Sequence, residues 1–288
     1  MVCTRERPEM LRAALASLAA QSDRAFQVLV VEQGARAALD DPVVGGDLAV
    51  RVLADGGTGL SRARNLAWRS TEADWLVFLD DDCALEPDWI GTFRRVLASR
   101  RGCCMISGQV IPAGLARRGS LPCGVVRIRA DRVRGGRWQR PLSLGGGSGV
   151  AIRRSMIAAL GGWDERLGAG AARFPSAEDE DFNYRLLRAG GTAFTTPALR
   201  SHHLQWRSER EIAPVFGAYM TGRAGVASKH LRSGDPVGGT WLLALATLDC
   251  AKLVASVLRY RQRCRLRIGW FSLRGLVIGL TRGLRVAW

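Results

Sequence analysis

Residues 74–82 read Asp-Trp-Leu-Val-Phe-Leu-Asp-Asp-Asp, an apolar run stopped by three aspartates. So short a run, rich in aromatic and branched side chains, predicts a buried strand over 74–79. Three adjacent carboxylates at its end repel one another unless a cation sits among them. Asp80 and Asp82 flank a single residue and can converge on one hard divalent ion such as Mg²⁺ or Mn²⁺. A polar loop or helix cap is the alternative reading of the same residues.

Working outward, helix and strand signals alternate. Met10, Leu11, Leu15 and Leu18 recur at helical spacing over 8–21, with Pro8 in the first turn. Residues 26–32 and 50–53 read as strands, and 59–71 and 87–99 as helices. The pattern predicts an α/β fold with a mostly parallel sheet, whose ligands sit at the carboxyl ends of strands. The loops after Cys3, Val31 and Leu79 then border one site. Further on, 102–143 reads as strands and a loop, 145–160 as a Gly-rich turn leading into a helix, 178–189 as a helix and 193–200 as a strand.

Three more clusters carry chemistry. Gly59-Leu60-Ser61-Arg62-Ala63-Arg64-Asn65 is a glycine turn opening a helix with two arginines, good planar partners for phosphate or a base edge. Glu178-Asp179-Glu180-Asp181 puts four acids at a helix start, more than capping needs, and one can serve as a general base. His202-His203 sits at a strand end, where one of the pair is a candidate metal ligand.

The 288 residues carry 42 Lys+Arg, all but two of them Arg, against 26 Asp+Glu, a net charge of +16. A hydrophobic fraction of 47% excludes a disordered or fibrous chain. The charge points to a polyanion. Nucleic acid is disfavoured, because no binding motif or aromatic–basic groove pattern is present and the acids at 80–82 and 178–181 oppose it. Seven cysteines, an odd number without a CxxC pair, predict free thiols of a reducing compartment rather than a zinc site. Met1 is followed by Val-Cys-Thr and charged residues, so no secretory leader is expected there.

Past residue 235 the texture changes. Residues 240–258 are nearly apolar, with Asp249, Lys252, Ser256 and Arg259 in one narrow stripe. Over 265–288, Arg267, Arg274, Thr281 and Arg285 share a face, and Gly275, Gly279 and Gly283 recur every fourth residue, permitting close helix packing. From Arg259 to Trp288 there are eight arginines and no acid. A basic apolar tail of this kind suits an anionic membrane surface, or forms a helical hairpin packed on the protein's own surface.

The order GLSRARN, LDDD, GGWDE (161–165), EDEDFNYRLLRAGG (178–191), then histidine, resembles glycosyltransferase family 2 over about residues 1–235. The opening Cys3-Thr4-Arg5-Glu6-Arg7-Pro8-Glu9 resembles that family's first strand and turn, which is either short here or begins upstream. The resemblance implies a GT-A fold: a Rossmann-like, nucleotide-sugar-binding mixed sheet with flanking helices, spanning 1–235, followed by a helical tail at 236–288. It implies a metal-dependent, inverting, hexosyltransferase-type enzyme. The donor is a nucleotide-diphosphate sugar and the acceptor a glycan or lipid-linked molecule, in cell-surface polysaccharide or glycolipid synthesis. The place of action is cytoplasmic, peripheral at the inner face of the cell membrane. A non-catalytic nucleotide-sugar binder is the alternative. Thr4, Arg5, Glu32, Arg64, Asp80 and Asp81 match the family's nucleotide-sugar positions, with Glu32 standing where an aspartate is usual. Asp82 and Asp80 match its DxD motif, with His203, ahead of His202, as the metal-proximal histidine. Asp179 matches its catalytic base. Gly147, Ser148, Trp163, Asp164 and Glu178 fall on segments that line donor sugar and acceptor.

Overall fold

The structure, a computed structural model, describes residues 1–34, 48–114, 120–204, 206–260 and 263–288. Arg261 of the basic tail lies outside these, as do the side chains of Ser256, Arg259, Arg263 and Arg265. The chain forms two compact units. The first comprises Met1–Leu115, Pro122–Trp163 and Phe182–Gln205; the second comprises Ala116–Leu121, Asp164–Asp181 and Trp206–Trp288.

The first unit is built on a nine-stranded sheet, with β1 (Val2–Thr4), β2 (Val28–Glu32), β3 (Val50–Ala54) and β4 (Trp75–Asp80) running parallel in the order β3-β2-β1-β4. All five residues of β2 are buried, because helices cover both faces. Successive side chains alternate sides. Val28 and Val30 pack with Leu11 and Leu15 of α1 (Pro8–Ala19), whereas Leu29 and Val31 meet Ala63 and Ala67 of α2 (Leu60–Arg69). Each such fully buried aliphatic side chain contributes about 1.5–3 kcal/mol. On the second face Phe78 and Leu76 pack with Trp163, Phe182 and Leu186.

The sheet continues through β5 (Cys83–Leu85), β6 (Met105–Pro112), β8 (Arg132–Arg134), β9 (Val150–Arg153) and β10 (Ala193–His203). Its order past β4 is β9-β6-β10-β5, with β8 also on β10. Here the 145–160 reading is corrected. The glycine turn leads first into β9, which is antiparallel to both neighbours, and only then into the short α4 (Arg154–Ala159). Four residues carry too little periodicity to mark a strand; the slot between β4 and β6 imposes it. The strand expected at 193–200 runs on to His203, pairing with β6 and β5. Between β5 and β6 lies α3 (Trp89–Ser99).

The second unit holds the first turn of α5 (Glu178–Arg188), then α6 (Glu209–Arg232), α7 (Pro236–Tyr260) and α8 (Arg263–Arg285). A small ribbon of β7 (Ser120–Pro122) and β11 (Trp206–Ser208) accompanies them. The 24-residue α6 was not expected, although Ser208 and Glu211 form a capping box at its start, 2.8 Å from Ser208 N to Glu211 Oε2. The glycine repeat of α8 lies against α6. A Cβ on Gly275, Gly279 or Gly283 would fall 2.2, 2.3 or 2.4 Å from Gly217 O, Thr221 O or Ser228 Cβ. Only glycine allows this approach.

Candidate functional site

The carboxyl ends of β1, β2 and β4 bring Thr4, Glu32 and Asp80–Asp82 together in the first unit. Thr4 Oγ1 donates to Asp81 Oδ2 at 2.7 Å. Arg7, three residues on in the same loop, forks across two acids: Nη1 lies 2.7 Å from Asp81 Oδ1 and Nη2 3.0 Å from Asp82 Oδ2. Sequence reading had singled out Arg5, which is exposed. The residue that reaches the acids is Arg7, legible only from its position in the β1 loop. Arg64, buried on α2, has Nη2 3.4 Å from Asp80 Oδ1 and its guanidinium 5.8 Å from the Trp163 ring centre.

His203 closes the acidic end from β10. Its Nε2 lies 3.3 Å from Asp82 Oδ1, and its Nδ1 lies 2.6 Å from the Cys123 carbonyl oxygen. Nδ1–H donating to that carbonyl fixes the ring, and Nε2, turned to Asp82, is the nitrogen that can ligate a metal once it gives up its proton. The Cys123 loop comes this close because Gly124 has φ +67; a Cβ there would sit 2.9 Å from His203 Cε1. His202 points the other way, as alternation along a strand requires, with Nε2 3.2 Å from Glu86 Oε1.

Electrostatics follow from these contacts. Burial works against the Asp82 carboxylate, but His203 and Arg7 overcome it and hold its pKa down at about 2. Burial would lower His203, yet Asp82 raises it above the ordinary value. Asp81 is raised by burial, against the pull of Thr4 and Arg7. The Cys83 thiol lies within 4.8 Å of the Asp82 and His203 donor atoms, but burial pushes it up and keeps it a thiol. The donor set is therefore oxygen and nitrogen: Asp82 and His203. Such a set fits a divalent cation.

Glu32 is 1% exposed. Its Oε1 accepts from the Glu6 amide at 3.2 Å, and its Oε2 is buried without a hydrogen-bond partner among the described residues. Burial raises its pKa. Glu6 takes φ 53, a left-handed conformation unusual outside glycine, so the turn that presents this amide is strained. Gln33 bridges Asp55 (2.8 Å) and the Gly59 amide (3.0 Å), and Arg62 pairs with Asp55 at 2.9 Å. Arg62 thus serves to tie the β3 loop to the start of α2, a role its spacing did not indicate.

Gly147 and Ser148 are buried in the turn before β9. Trp163 is also buried, stacked on Phe182 at 4.5 Å and edge-on to Phe78 at 4.9 Å. Asn65 grips its backbone, donating to Trp163 O at 2.8 Å and accepting from Trp163 N at 2.9 Å. That places Trp163 in the core wall behind Arg64.

In the second unit, Glu178 and Asp179 open α5 after Ala177, whose φ of 72 again marks strain. Their neighbours are clamped to α6. Arg223 Nε lies 2.8 Å from Glu180 Oε2, and Lys229 Nζ lies 2.9 Å from Asp181 Oδ1. Asp164, expected near an acceptor, joins this network, 2.8 Å from both Lys229 Nζ and Arg166 Nη2. Burial would raise its pKa, but Arg166 and Lys229 bring it below the ordinary value. A depressed carboxylate stabilises the fold above its unfolded value near about 3.9 and loses that contribution as pH falls through its native value. Asp164→Asn is therefore expected to lower stability at neutral pH and flatten its decline below about pH 4, read from urea midpoints across pH. An acid limb as steep as wild type would count against this role.

An acidic strand end facing a pinned imidazole, on the carboxyl edge of a mixed sheet flanked by helices, defines a GT-A-type nucleotide-sugar fold. Residues 1–161 match Glycosyl transferase family 2, and the chain belongs to that family. It is 24% identical over 232 residues to the glucosyl-dolichyl phosphate glucuronosyltransferase of Haloferax volcanii, covering 77% of this chain and 74% of that one. Among solved structures, the mannosyltransferase PcManGT from Pyrobaculum calidifontis, in complex with GDP-Man and Mn2+, matches with a TM-score of 0.61 at 14% identity, over 97% of this chain and 85% of that one. S. aureus TarS matches with a TM-score of 0.54 at 15% identity, over 80% of this chain; this chain spans 39% of TarS.

Proposed function

We propose that this protein is an inverting glycosyltransferase that moves a sugar from a nucleoside-diphosphate sugar to a glycan or lipid-linked acceptor, at the inner face of the cell membrane. The observation that carries this reading is the Asp82–His203 pair, held 3.3 Å apart with Nδ1 of the imidazole tied to a backbone carbonyl. Asp82 and His203, with Asp80, would hold a divalent cation, and the mixed oxygen–nitrogen set favours Mn²⁺ over Mg²⁺. When bound, such an ion supplies neutralisation of the negative charge on the departing diphosphate.

The remaining roles fall to this chain's own groups. The unpartnered buried Glu32 Oε2 is matched by an N–H donor, which a nucleobase edge provides. Arg64 and Arg7 place guanidinium charge beside the same loop, positioned for phosphate oxygens. Asp179 is the base that takes the acceptor hydroxyl proton, an assignment supported by its match to the family's paired acids. Attack from the face opposite the leaving group inverts the anomeric centre. The names of two relatives support the substrate classes: one carries a dolichyl phosphate sugar and the other was solved with GDP-Man and Mn2+.

Thermal unfolding with UDP-, GDP- and dTDP-sugars, with and without Mn²⁺, tests the reading. One nucleotide series is expected to raise Tm only when the ion is present, since ligand binding stabilises by mass action. Stabilisation without transfer to any acceptor would support the non-catalytic alternative, and no stabilisation by any of them would overturn donor binding.

A further inference from the structure

The exposed face of α8 has a composition that protein folding does not explain. Leu266, Trp270, Leu273, Val277 and Leu284 are 57%, 64%, 47%, 54% and 53% exposed. Their spacing of four, three, four and seven residues puts them on one helical stripe. The stripe runs about 27 Å at 1.5 Å per residue. Arg267, Arg274 and Arg285 are exposed along one flank of it, with Arg282 further round. The opposite face, with Gly275, Leu276, Gly279 and Gly283, is the one that meets α6. Folding has therefore used one side of the helix and left a large apolar ridge on the other.

We infer that this ridge binds the surface of an anionic lipid bilayer, with α8 lying in the interfacial plane; the inference deepens the membrane-side reading of the proposed function and rests on it. The occupant follows from charge. No residue from Arg259 to Trp288 is acidic, so the arginines beside the ridge face no carboxylate from their own helix. An apolar stripe with a basic flank and an indole near its N-terminal end matches the layered chemistry of a headgroup region: anionic phosphates outside, acyl chains within. A second copy of this chain would bring the same arginines against themselves.

Lying flat also fits α7 better than spanning does. Its Pro236–Ala255 stretch has a mean hydropathy of 1.4, long and apolar enough to cross a membrane. Yet Asp249 within it pairs at 3.0 Å with the buried Arg223, which also holds Glu180. Ala246 and Cys250 pack on Met220 and Ala224 of α6. A helix bound through a buried ion pair and a packed seam belongs to the protein body.

The test is vesicle co-flotation of the full-length protein with phosphatidylcholine alone and with phosphatidylcholine–phosphatidylglycerol mixtures. Wild type is expected to float with the anionic vesicles, and far less with the neutral ones. The Trp270→Ser/Leu273→Ser variant, and separately the Arg267→Gln/Arg274→Gln/Arg285→Gln variant, are expected to lose roughly tenfold or more in anionic-vesicle affinity. Both should keep the wild-type Tm and nucleotide-dependent stabilisation, which separates failure of this surface from failure of the donor site. Wild type that ignores anionic vesicles, or variants that float as wild type does, would overturn the inference. A wild-type dimer that the Trp270→Ser/Leu273→Ser variant converts to monomer, with flotation unchanged, would assign the ridge to a second copy instead.

Discussion

Asp82→Asn is expected to abolish Mn²⁺-dependent stabilisation by the donor nucleotide, and with it sugar transfer. The carboxylate is buried, held at a pKa of about 2, and placed 3.3 Å from His203 Nε2, so it is ionised at any working pH and aimed at the same point as the imidazole. The isosteric amide keeps the shape, removes the charge, and sets an NH₂ donor against Arg7 and His203. Loss of an electrostatic contact to developing charge costs on the order of 10²–10³ in rate, and loss of a metal ligand weakens donor binding as well. Asp179→Asn provides the contrast: a general base contributes about 10²–10⁴-fold, so transfer should fall by that factor while donor-induced stabilisation persists. Titrating donor and Mn²⁺ by thermal shift, beside a transfer assay, separates the two. Metal-independent donor affinity that survives Asp82→Asn would remove the metal-site assignment, and equal loss of binding and transfer in Asp179→Asn would remove the base.

Arg223→Leu is expected to destabilise the second unit by about 3–5 kcal/mol, the cost of removing one partner from a buried ion network. Its guanidinium lies 2.8 Å from Glu180 and 3.0 Å from Asp249, with side chains of Arg223 and Glu180 only 8% and 3% exposed. Burial alone would lower the Arg223 pKa, but the two carboxylates raise it. Without this cation, the carboxylates of Glu180 and Asp249 lose the charge they share and the tie between α5, α6 and α7 is lost. A Tm drop on the order of 10 °C follows. The double variant Arg223→Leu/Glu180→Leu should recover part of it, because an apolar pair removes the uncompensated charge. A single variant as stable as wild type would show that the network contributes specificity rather than stability. The same network makes truncation near residue 236 uninformative about the tail, since it removes Asp249 and the glycine seam of α8 together.

Much of the site was legible because it sits where local sequence and topology agree. A buried strand must end somewhere, and WLVFL ending in three aspartates marks both the strand and its carboxyl edge. The glycine repeat of α8 was likewise readable, since spacing alone predicts a flat helix face. Arg7, the Cys123 carbonyl and the Gln33–Asp55 bridge were not, because each depends on which loops meet at the sheet edge. The contacts of Asp164, which its motif places near the acceptor, were not legible either: Arg166 and Lys229 hold it. The α6 helix went unread despite its Ser208–Glu211 signature, since its apolar positions are mostly small and its pattern is weak.

The sequence by itself determined the elements of the parallel half of the sheet, the acidic strand end and the basic apolar character of the last helix. These depend on short-range periodicity and on composition, which the chain carries wherever it folds. Only the tertiary structure decided that β9 is a strand, that Arg7 rather than Arg5 reaches Asp81 and Asp82, and which face of α8 is left bare. Each of those is a choice between two local possibilities of similar energy, and contacts with residues distant in sequence tip it.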